Sequence, residues 1–347
     1  MKAAVIEAWS KPLVIKDVPK PTPKPDELLV KVNVSGVCHT DVHQWKGDWP
    51  EDKRIMEASG VTVIGHEGIG IIEETGSEVS GFRRGDRVGI PWMNYWCGGC
   101  EPCLTGQPHY CANLRFTSEH VNGTFAEYVT LSDKAAAIVP ASIPDNDAAP
   151  LLCAGVTAYG AVRKLVSELR IPPGKVIAVV GAAGGLGHYA VQVAKAFGYK
   201  VLGVDAGVKR VEFVESIGAD YASDASTAPQ IAKSLGGAYA SLVFTPNIHG
   251  YNLAPQLART LGSIVVVGMP KQSEGPMNVT PAEIVGMGLR IIPSSVGVTH
   301  ELKELYDLYV EGKVKTHLSR VGNLSDINTI LNELIESKYL GRAVVSM

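Results

Sequence analysis

Two hydrophobic patterns divide the chain. Up to about residue 150, short β-branched runs are separated by glycine and proline, as in LLVKVNVSGV, GIGIIEETG, DRVGIPW, FAEYVTL and AAIVP. Runs of this length between turn residues predict a mainly β domain. The first 32 residues indicate two short strands joined by a proline-rich loop. Because they contain no long apolar stretch, we expect them to belong to the fold rather than to a signal peptide.

From Ala154 onward, apolar strands alternate with helical segments. The run AGVTAYGAVRKLVSEL is helical in pattern, and VIAVV is wholly apolar, as a parallel strand covered on both faces should be. Helical spacing of apolar residues follows, and further strands are predicted at VLGVD, SLVFTP, SIVVVGMP and LRIIPSS, with a helix near LAPQLARTL. This alternation predicts a doubly wound α/β domain.

The C-terminal segment returns to mixed structure. It contains a helix (ELKELYDLYVEG), short β-like pieces, a second helix (LSDINTILNELIES) and a final strand (RAVVSM). We expect this segment to fold back onto the first domain. The predicted domains are therefore residues 1–153, 154–290, and a return to the first domain over 291–347.

Composition and charge exclude several classes of protein. Hydrophobic residues make up 46% of the chain and charged residues 19%, which is typical of a globular protein. A formal charge of −3 gives no reason to expect nucleic acid or an anionic membrane as a partner. No apolar run approaches the roughly 18 residues of a membrane span. Since nothing marks secretion, we expect the reducing cytosol, where persistent disulfides are rare.

A glycine-rich turn follows the apolar strand VIAVV and opens a helix. Glycines there allow a pyrophosphate to approach the backbone, and the start of the helix offers free N–H groups. Asp205 ends the next strand, where a carboxylate can bind the adenosine ribose and repel a 2′-phosphate. NAD is therefore predicted over NADP, although Lys209 and Arg210 could accept a phosphate; the alternative is a tight turn with a surface acid. The turn residues assigned to the coenzyme are Gly181, Gly184, Gly185 and Gly187.

Four of the six cysteines lie within fifteen residues, at Cys97, Cys100, Cys103 and Cys111. The last gap is longer than in ferredoxin-type clusters, and no proline follows the fourth cysteine. Four thiolates satisfy a tetrahedral zinc and leave no open position. We therefore favour a structural zinc site over an iron–sulfur cluster or a disulfide pair.

Three further residues could form a second metal site. Cys38 and Cys153 stand alone in the sequence, and His66 lies in VIGHEG. Two thiolates and an imidazole would hold a zinc ion with an open fourth position, as a catalytic site requires. Spacing alone cannot bring together residues so far apart, and an isolated cysteine is commonly a small buried core residue.

Taken together, these motifs resemble the zinc-dependent medium-chain alcohol dehydrogenases, in particular the microbial, yeast alcohol dehydrogenase-like type. The signature G-H-E-x2-G-x5-G-x2-V is met in full by Gly65, His66, Glu67, Gly70, Gly76 and Val79. GVCHTDVHQWKGDWP, the four-cysteine segment, LLCAGVTAY, GAAGGLG, VVVGMP and the closing LGR also match, so the resemblance runs from end to end.

The resemblance implies a Rossmann coenzyme domain and a mainly β, GroES-like catalytic domain with a zinc lobe. Cys38, His66 and Cys153 would hold the catalytic zinc, and the four clustered cysteines the structural one. Asp41 would orient His66, and Glu67 would be the acid that can approach the metal. The structural alternatives are a helix cap for Asp41 and a buried ion-pair partner for Glu67.

Further roles follow from the same resemblance. Thr40 and His43 match a proton relay from the substrate to water. Contacts to the coenzyme are implied for His39, Thr157, Leu186, Met269 and Arg342. The implied substrate pocket is lined by Thr40, Trp49, Trp92 and Met269. Tryptophan is otherwise more common in cores and interfaces.

The expected activity is reversible hydride transfer between a small primary alcohol or aldehyde and NAD, with two zinc ions per chain. Two stretches, EDKRIMEASGVTVIGHE and NIHGYNLAPQ, differ from the yeast-like pattern, so a bulkier, secondary, aryl or polyol substrate is the alternative. A non-catalytic dinucleotide-binding protein is the alternative of another class. The family's microbial members imply a homotetramer, with a dimer as the second choice.

Overall fold

The chain forms two structural units in the computed structural model, which describes residues 1–347. The first unit comprises Met1–Cys153, Val298–His300 and Leu318–Met347, and the second comprises Ala154–Gly297 and Glu301–His317. None of the helices combines the length and the apolar character needed to span a membrane.

Short strands dominate the N-terminal part of the first unit. The strands are β1 (Lys2–Val5), β2 (Val14–Asp17), β3 (Glu27–Val37), β4 (Gly68–Thr75), β5 (Arg87–Ile90), β6 (Met93–Tyr95), β7 (Arg115–Phe116), β8 (Tyr128–Ser132) and β9 (Ala137–Ile138). The helices are α1 (His39–Lys46), α2 (Pro50–Ser59), α3 (Glu101–Leu104) and α4 (Asp145–Pro150).

Strands and helices alternate in the second unit. Its strands are β10 (Val176–Val180), β11 (Lys200–Asp205), β12 (Tyr221–Asp224), β13 (Ala238–Val243), β14 (Ala258–Val266) and β15 (Arg290–Pro293). Its helices are α5 (Val156–Ser167), α6 (Gly187–Ala196), α7 (Val208–Ser216), α8 (Ala228–Ser234), α9 (Ile248–Leu257) and α10 (Pro281–Met287). The chain ends with α11 (Thr299–Val310), β16 (Leu318–Asn323), α12 (Ile327–Ile335) and β17 (Arg342–Ser346).

Strand β3 is the centre of a seven-stranded sheet in the first unit. The order is β16-β17-β3-β4-β5-β9, with β8 also paired to β3. Strands β8 and β17 share one edge of β3: β8 pairs with its first half and β17 pairs with its second half. Strand β4 runs along the other side of β3. The last residues of β3 are therefore held between two neighbouring strands just before Cys38.

All six strands of the second unit are parallel, in the order β12-β11-β10-β13-β14-β15. The strand order reverses between β10 and β13, which is where doubly wound sheets bind ligands at the carboxyl ends of their strands. Ala178, Val180, Leu202 and Val204 are buried in the core below this point. The predicted α/β class with a GroES-like and a Rossmann-like part is thus confirmed.

Several sequence-based expectations differ from the structure in detail. A further strand, β2, precedes the proline-rich loop, so the N-terminal segment contains three strands rather than two. The helix predicted near LAPQLARTL ends at Leu257, because the following residues pair with β13 as part of β14. Helices α1 and α2 interrupt the β-rich region.

The C-terminal boundary also differs from the predicted one. Residues 291–297 and Glu301–His317 belong to the second unit rather than to the first. Contacts between α5 and α11 explain this, since Tyr159 donates a hydrogen bond to Glu304 at 2.7 Å and Arg163 lies 3.4 Å from Glu301.

Candidate metal and coenzyme sites

Three distant segments of the first unit bring four potential metal ligands together. Cys38 follows β3, His66 and Glu67 precede β4, and Cys153 lies in the π-helical turn Leu151–Gly155. One ligand atom from each of Cys38, His66, Glu67 and Cys153 lies within 4.8 Å of the others. The site predicted from resemblance is therefore present as a cluster of two thiols, an imidazole and a carboxylate.

Asp41 fixes the orientation of His66. Its Oδ1 lies 2.9 Å from Nδ1 of His66, and both side chains are fully buried. Its Oδ2 accepts a hydrogen bond from the backbone N–H of Cys38 at 2.7 Å, which caps the start of α1. The helix-cap and metal-site interpretations of Asp41 are thus compatible, because each uses a different carboxylate oxygen.

The remaining nitrogen of His66, Nε2, is buried and makes no hydrogen bond of normal geometry, although the Cys38 thiol is close enough to raise the pKa of the imidazole. A buried polar atom without a partner is costly unless water, a ligand or a metal satisfies it. Because Asp41 takes Nδ1, Nε2 is the nitrogen available to a metal ion. Together with two sulfur atoms, it forms a donor set that fits zinc.

The electrostatics of this cluster favour the anion of one ligand, Cys38. A hydrogen bond from Cys153 lowers the pKa of the Cys38 thiol well below its usual range, and His66 acts in the same direction. The same contact raises the pKa of Cys153. Burial lowers the pKa of His66, but the Asp41 carboxylate and the Cys38 sulfur together outweigh it and the net shift is upward. The thiols, the imidazole and the Asp41 carboxylate are therefore packed closely together. A divalent cation bound here would displace the protons of the thiols and of the imidazole nitrogen that bind it.

Glu67 has a second contact besides the cluster. Arg342, on β17, forms a buried ion pair with its carboxylate. Burial raises the pKa of Glu67 to about 7, although Arg342 opposes this shift. Gly36 makes room for the pair, because a Cβ there would lie 2.0 Å from Oε2 of Glu67. The carboxylate is thus held between the candidate metal ligands and Arg342.

The four clustered cysteines form a separate group in the loop between β6 and β7. Their sulfur atoms lie within 4.8 Å of one another, and the Cys97–Cys111 and Cys100–Cys103 separations are both 3.5 Å. All six cysteines are free thiols. A tetrahedral zinc with Zn–S bonds of about 2.3 Å needs sulfur atoms roughly 3.8 Å apart. The geometry therefore fits a closed zinc site.

Backbone N–H groups stabilise the sulfur atoms of this loop. Cys97 and Asn113 donate to Sγ of Cys111 at 3.4 and 3.3 Å. Backbone hydrogen bonds from Gly99 and Cys100 lower the pKa of Cys97 to about 6. Thiolates are the form that binds a metal ion.

In the second unit, the glycine turn links β10 to α6. Gly181 has φ +82°, and a Cβ on Gly187 would lie 2.0 Å from the carbonyl oxygen of Gly181. Only glycine allows the helix to start this close to the strand. The turn therefore presents the first N–H groups of a ten-residue helix to a possible pyrophosphate.

Asp205, at the end of β11, contacts the glycine turn directly. Its Oδ2 accepts a hydrogen bond from the backbone N–H of Ala183 at 2.7 Å. Its Oδ1 accepts one from Nε of Arg210 at 2.6 Å. The predicted ribose-binding carboxylate therefore also anchors the turn and forms an ion pair with one of the two cations that could accept a 2′-phosphate.

The predicted relay and pocket residues of the first unit surround α1. His43 is buried, its Nδ1 lies 2.9 Å from Oδ2 of Asp48, and its ring lies 4.4 Å from that of Trp49. Trp92 stacks on Phe116 with ring centroids 3.9 Å apart.

The remaining predicted residues lie at the start of α1, in the second unit or on β17. His39 lies 5.2 Å from His43, ring to ring, and Thr40 is partly buried at the start of α1. Thr157, Leu186 and Met269 belong to the second unit; Thr157 is buried in α5 and Met269 is exposed. Arg342, predicted to contact a pyrophosphate, is paired with Glu67.

Sequence reasoning missed three polar residues of the first unit. Asp48 faces His43, and Gln44 donates a hydrogen bond to the buried carboxylate of Glu119 at 3.2 Å. A carboxylate five residues after a histidine, beyond the glycine that ends α1, was a possible signal for Asp48. Nothing in the local sequence distinguishes Glu119 from a surface acid.

Known proteins resemble this chain over its whole length. Residues 24–145 match the family described as alcohol dehydrogenase GroES-like domain, and residues 185–311 match the zinc-binding dehydrogenase family. Alcohol dehydrogenases of Geobacillus stearothermophilus and Rhizobium meliloti (strain 1021) are 38% and 36% identical, covering 100% of this chain and 100% and 99% of their own lengths. The crystal structure of the alcohol dehydrogenase from Aeropyrum pernix superposes with a TM-score of 0.89 at 31% identity, covering 100% of both chains.

These likenesses agree with the ligand clusters and the parallel sheet. The GroES-like match covers Cys38, His66 and the four-cysteine loop. The second match covers the end of the glycine turn and Asp205. The chain is an oxidoreductase that belongs to the zinc-dependent medium-chain alcohol dehydrogenase family.

Proposed function

We propose that this protein is a cytosolic, NAD-dependent alcohol dehydrogenase that interconverts small primary alcohols and aldehydes, with one catalytic and one structural zinc per chain. The observation that carries the proposal is the buried cluster of Cys38, His66 and Cys153. Nδ1 of His66 lies 2.9 Å from Asp41, and its other ring nitrogen, Nε2, is buried without a hydrogen bond of normal geometry. A three-ligand site with an open position suits catalysis rather than structure.

The proposed chemistry combines two bound groups with residues of this chain. Zinc supplies a Lewis acid that lowers the pKa of an alcohol, and NAD supplies the hydride acceptor. Asp41 holds the imidazole of His66 in one tautomer and one orientation. Glu67, next to the ligands and paired with Arg342, places a carboxyl group close to the metal position.

The alcohol proton needs a path away from this buried site. Thr40 and His43 are three residues apart on α1, so their side chains share one face of the helix. If Nδ1–H of His43 points to Asp48, the lone pair of Nε2 can accept a proton. We assign Asp48 as a positioning residue and His43 as the group that passes the proton onward.

Preference for NAD is supported by the position of Asp205. Its carboxylate ends β11 beside the glycine turn, where it can bind ribose hydroxyls and repel a phosphate. Arg210 is already paired with that carboxylate. A homotetramer is proposed from the family resemblance alone, and light scattering of the purified chain tests it.

The direct test is coenzyme reduction by the zinc-loaded full chain. NAD or NADP would be supplied with ethanol, 1-hexanol, benzyl alcohol or 2-propanol, and nicotinamide reduction followed by absorbance. We expect NAD reduction with the primary alcohols and none with His66→Ala. Failure of the wild type to reduce either coenzyme with any alcohol would contradict the proposal, and a preference for 2-propanol would contradict its primary-alcohol part.

A further inference from the structure

A second polar cluster in the first unit has no role in the proposed mechanism. Glu119 and Gln44 are each 2% exposed, and Nε2 of Gln44 donates to Oε1 of Glu119 at 3.2 Å. Backbone conformation and hydrogen bonding fix the turn that carries Glu119. Thr117 N–H donates to the carbonyl of Trp92 at 2.8 Å, and Ser118 adopts φ +74°. A turn held in this way keeps the side chain of Glu119 buried instead of letting it rotate into solvent.

Two buried polar atoms of this cluster make no hydrogen bond of normal geometry, although one of them acts on Glu119. Oε1 of Gln44 and Nε1 of Trp92 are buried and make no hydrogen bond. The indole N–H of Trp92 lowers the pKa of Glu119 without meeting the geometry of a hydrogen bond. The amide oxygen of Gln44 thus has unused hydrogen-bonding capacity beside Trp92 and Glu119, and a water molecule or a ligand oxygen could satisfy it.

The cluster adjoins the candidate active site. Gln44 lies four residues after Thr40 on α1, so the two side chains are neighbours on one face of the helix. Glu119 is close enough to His66 for the charge of that imidazole to act on its carboxyl group. Trp92 is a predicted pocket residue. The buried polar atoms of Gln44 and Trp92 therefore lie close to residues of the candidate active site.

The charge of Glu119 limits what it can bind. Burial raises its pKa to about 8, and the carboxylate of Asp52 acts in the same direction. A neutral carboxylic acid both donates and accepts a hydrogen bond, as a hydroxyl group does. A plain alkyl chain packed against Glu119 and Gln44 would leave their polar groups unpaired, which would disfavour its binding.

We propose that Glu119 and Gln44 line the substrate site and select alcohols that carry a second neutral oxygen, such as diols and hydroxycarbonyl compounds. This inference rests on the proposed alcohol dehydrogenase activity and narrows its substrate class. Glu119 and Gln44 bind the second oxygen of the substrate and take no part in hydride or proton transfer.

Matched substrates test this inference on the zinc-loaded full chain. kcat/KM would be measured for ethanol against ethylene glycol, 1-propanol against 1,3-propanediol, and 1-butanol against 1,4-butanediol. In at least one pair, Glu119→Leu and Gln44→Leu should each lower the diol-to-alkanol ratio about tenfold, since each loses a hydrogen-bond partner. Alkanol turnover should be kept or improved.

Two further variants serve as controls. Glu119→Gln keeps the size and hydrogen-bonding capacity of the neutral acid, so it should retain most of the diol preference. It also serves if the leucine variant does not fold. Glu78→Gln changes an exposed carboxyl in the same unit and should leave every ratio unchanged.

Each contrary result has a separate meaning. Equal loss of diol and alkanol turnover, or an unchanged ratio in both leucine variants, would overturn the inference and leave the proposed function intact. A wild-type preference for 3-amino-1-propanol that Glu119→Gln abolishes would show an ionised Glu119 and overturn the neutral-oxygen class. A wild type inactive on every alcohol would remove the proposed function, and this inference with it.

Discussion

Oδ1 of Asp41 lies 2.9 Å from Nδ1 of His66, and neither side chain is exposed to solvent. The other oxygen of the same carboxylate holds the backbone N–H of Cys38. One buried side chain therefore positions two of the candidate metal ligands, one through its ring and the other through the start of α1.

Asp41→Asn should weaken the catalytic metal site. The single amide oxygen of the variant side chain can accept a hydrogen bond from only one of the two partners. If it accepts from the backbone N–H of Cys38, the NH2 group faces His66 and cannot accept its N–H. Loss of such a partner typically costs about 10- to 100-fold in metal affinity. Zinc competition with a chromogenic chelator measures the change, and Asp17→Asn, at an exposed carboxylate, is the control. Unchanged affinity would show that Asp41 only caps the helix.

Asp205 is expected to set coenzyme preference by its charge. Asp205→Asn keeps an acceptor for Ala183 N–H and removes the negative charge, which frees Arg210 for a 2′-phosphate. The NADP-to-NAD ratio of kcat/KM should rise about tenfold or more. Adding Arg210→Ala should reverse most of that gain. A wild type that already prefers NADP would contradict the assignment.

His43 should affect the rate of alcohol oxidation most at low to neutral pH, where the proton needs an imidazole to accept it. His43→Gln is expected to slow alcohol oxidation about tenfold at low to neutral pH, with a smaller effect at high pH, because water or hydroxide then takes the proton more readily. Asp48→Asn should have a weaker effect of the same form, since it only positions the ring. A pH profile that keeps its shape in His43→Gln would mean that the proton leaves by another path or that coenzyme release limits the rate.

The sequence predicted the parallel sheet and the glycine turn because both depend on local pattern. VIAVV, the turn and the following helix are contiguous, and each residue type there has a local physical reason. The metal cluster is different. Cys38, His66 and Cys153 meet only after β3, β4 and the turn at Leu151–Gly155 have folded, so resemblance to a family was needed to join them.

Other features could not be predicted for comparable reasons. The sequence of helix α2 contains two helix signals, Pro50 at its first position and Gly60 after its end. It was not predicted, because its apolar residues form only a weak stripe. Glu119 looks like a surface acid in sequence, and only tertiary burial gives it a role.

Burial of Glu119 should make stability depend on pH. Its pKa is raised from an ordinary value of 4.5 to about 8 in the folded chain. Below pH 4.5 both states are protonated, so its contribution to stability is complete. As pH rises toward 8, the unfolded chain ionises first and stability is lost.

Glu119→Gln should remove that loss. Since one pKa unit corresponds to about 1.4 kcal/mol, the variant should gain a few kcal/mol over the wild type between about pH 5 and pH 8. Urea unfolding of the zinc-loaded proteins at several pH values measures the difference. Parallel pH curves for the two proteins would show that Glu119 ionises normally in the folded state.

Stepwise removal of zinc tests the central claim most directly. Metal content and NAD-dependent alcohol oxidation would be measured on the same samples during chelation, with circular dichroism as a check on folding. The account predicts two zinc ions per chain and loss of all activity with the first, because the open site of Cys38, His66 and Cys153 should release its metal before the closed four-thiolate site. Undiminished activity in protein that retains a single zinc, or iron in place of zinc, would contradict it.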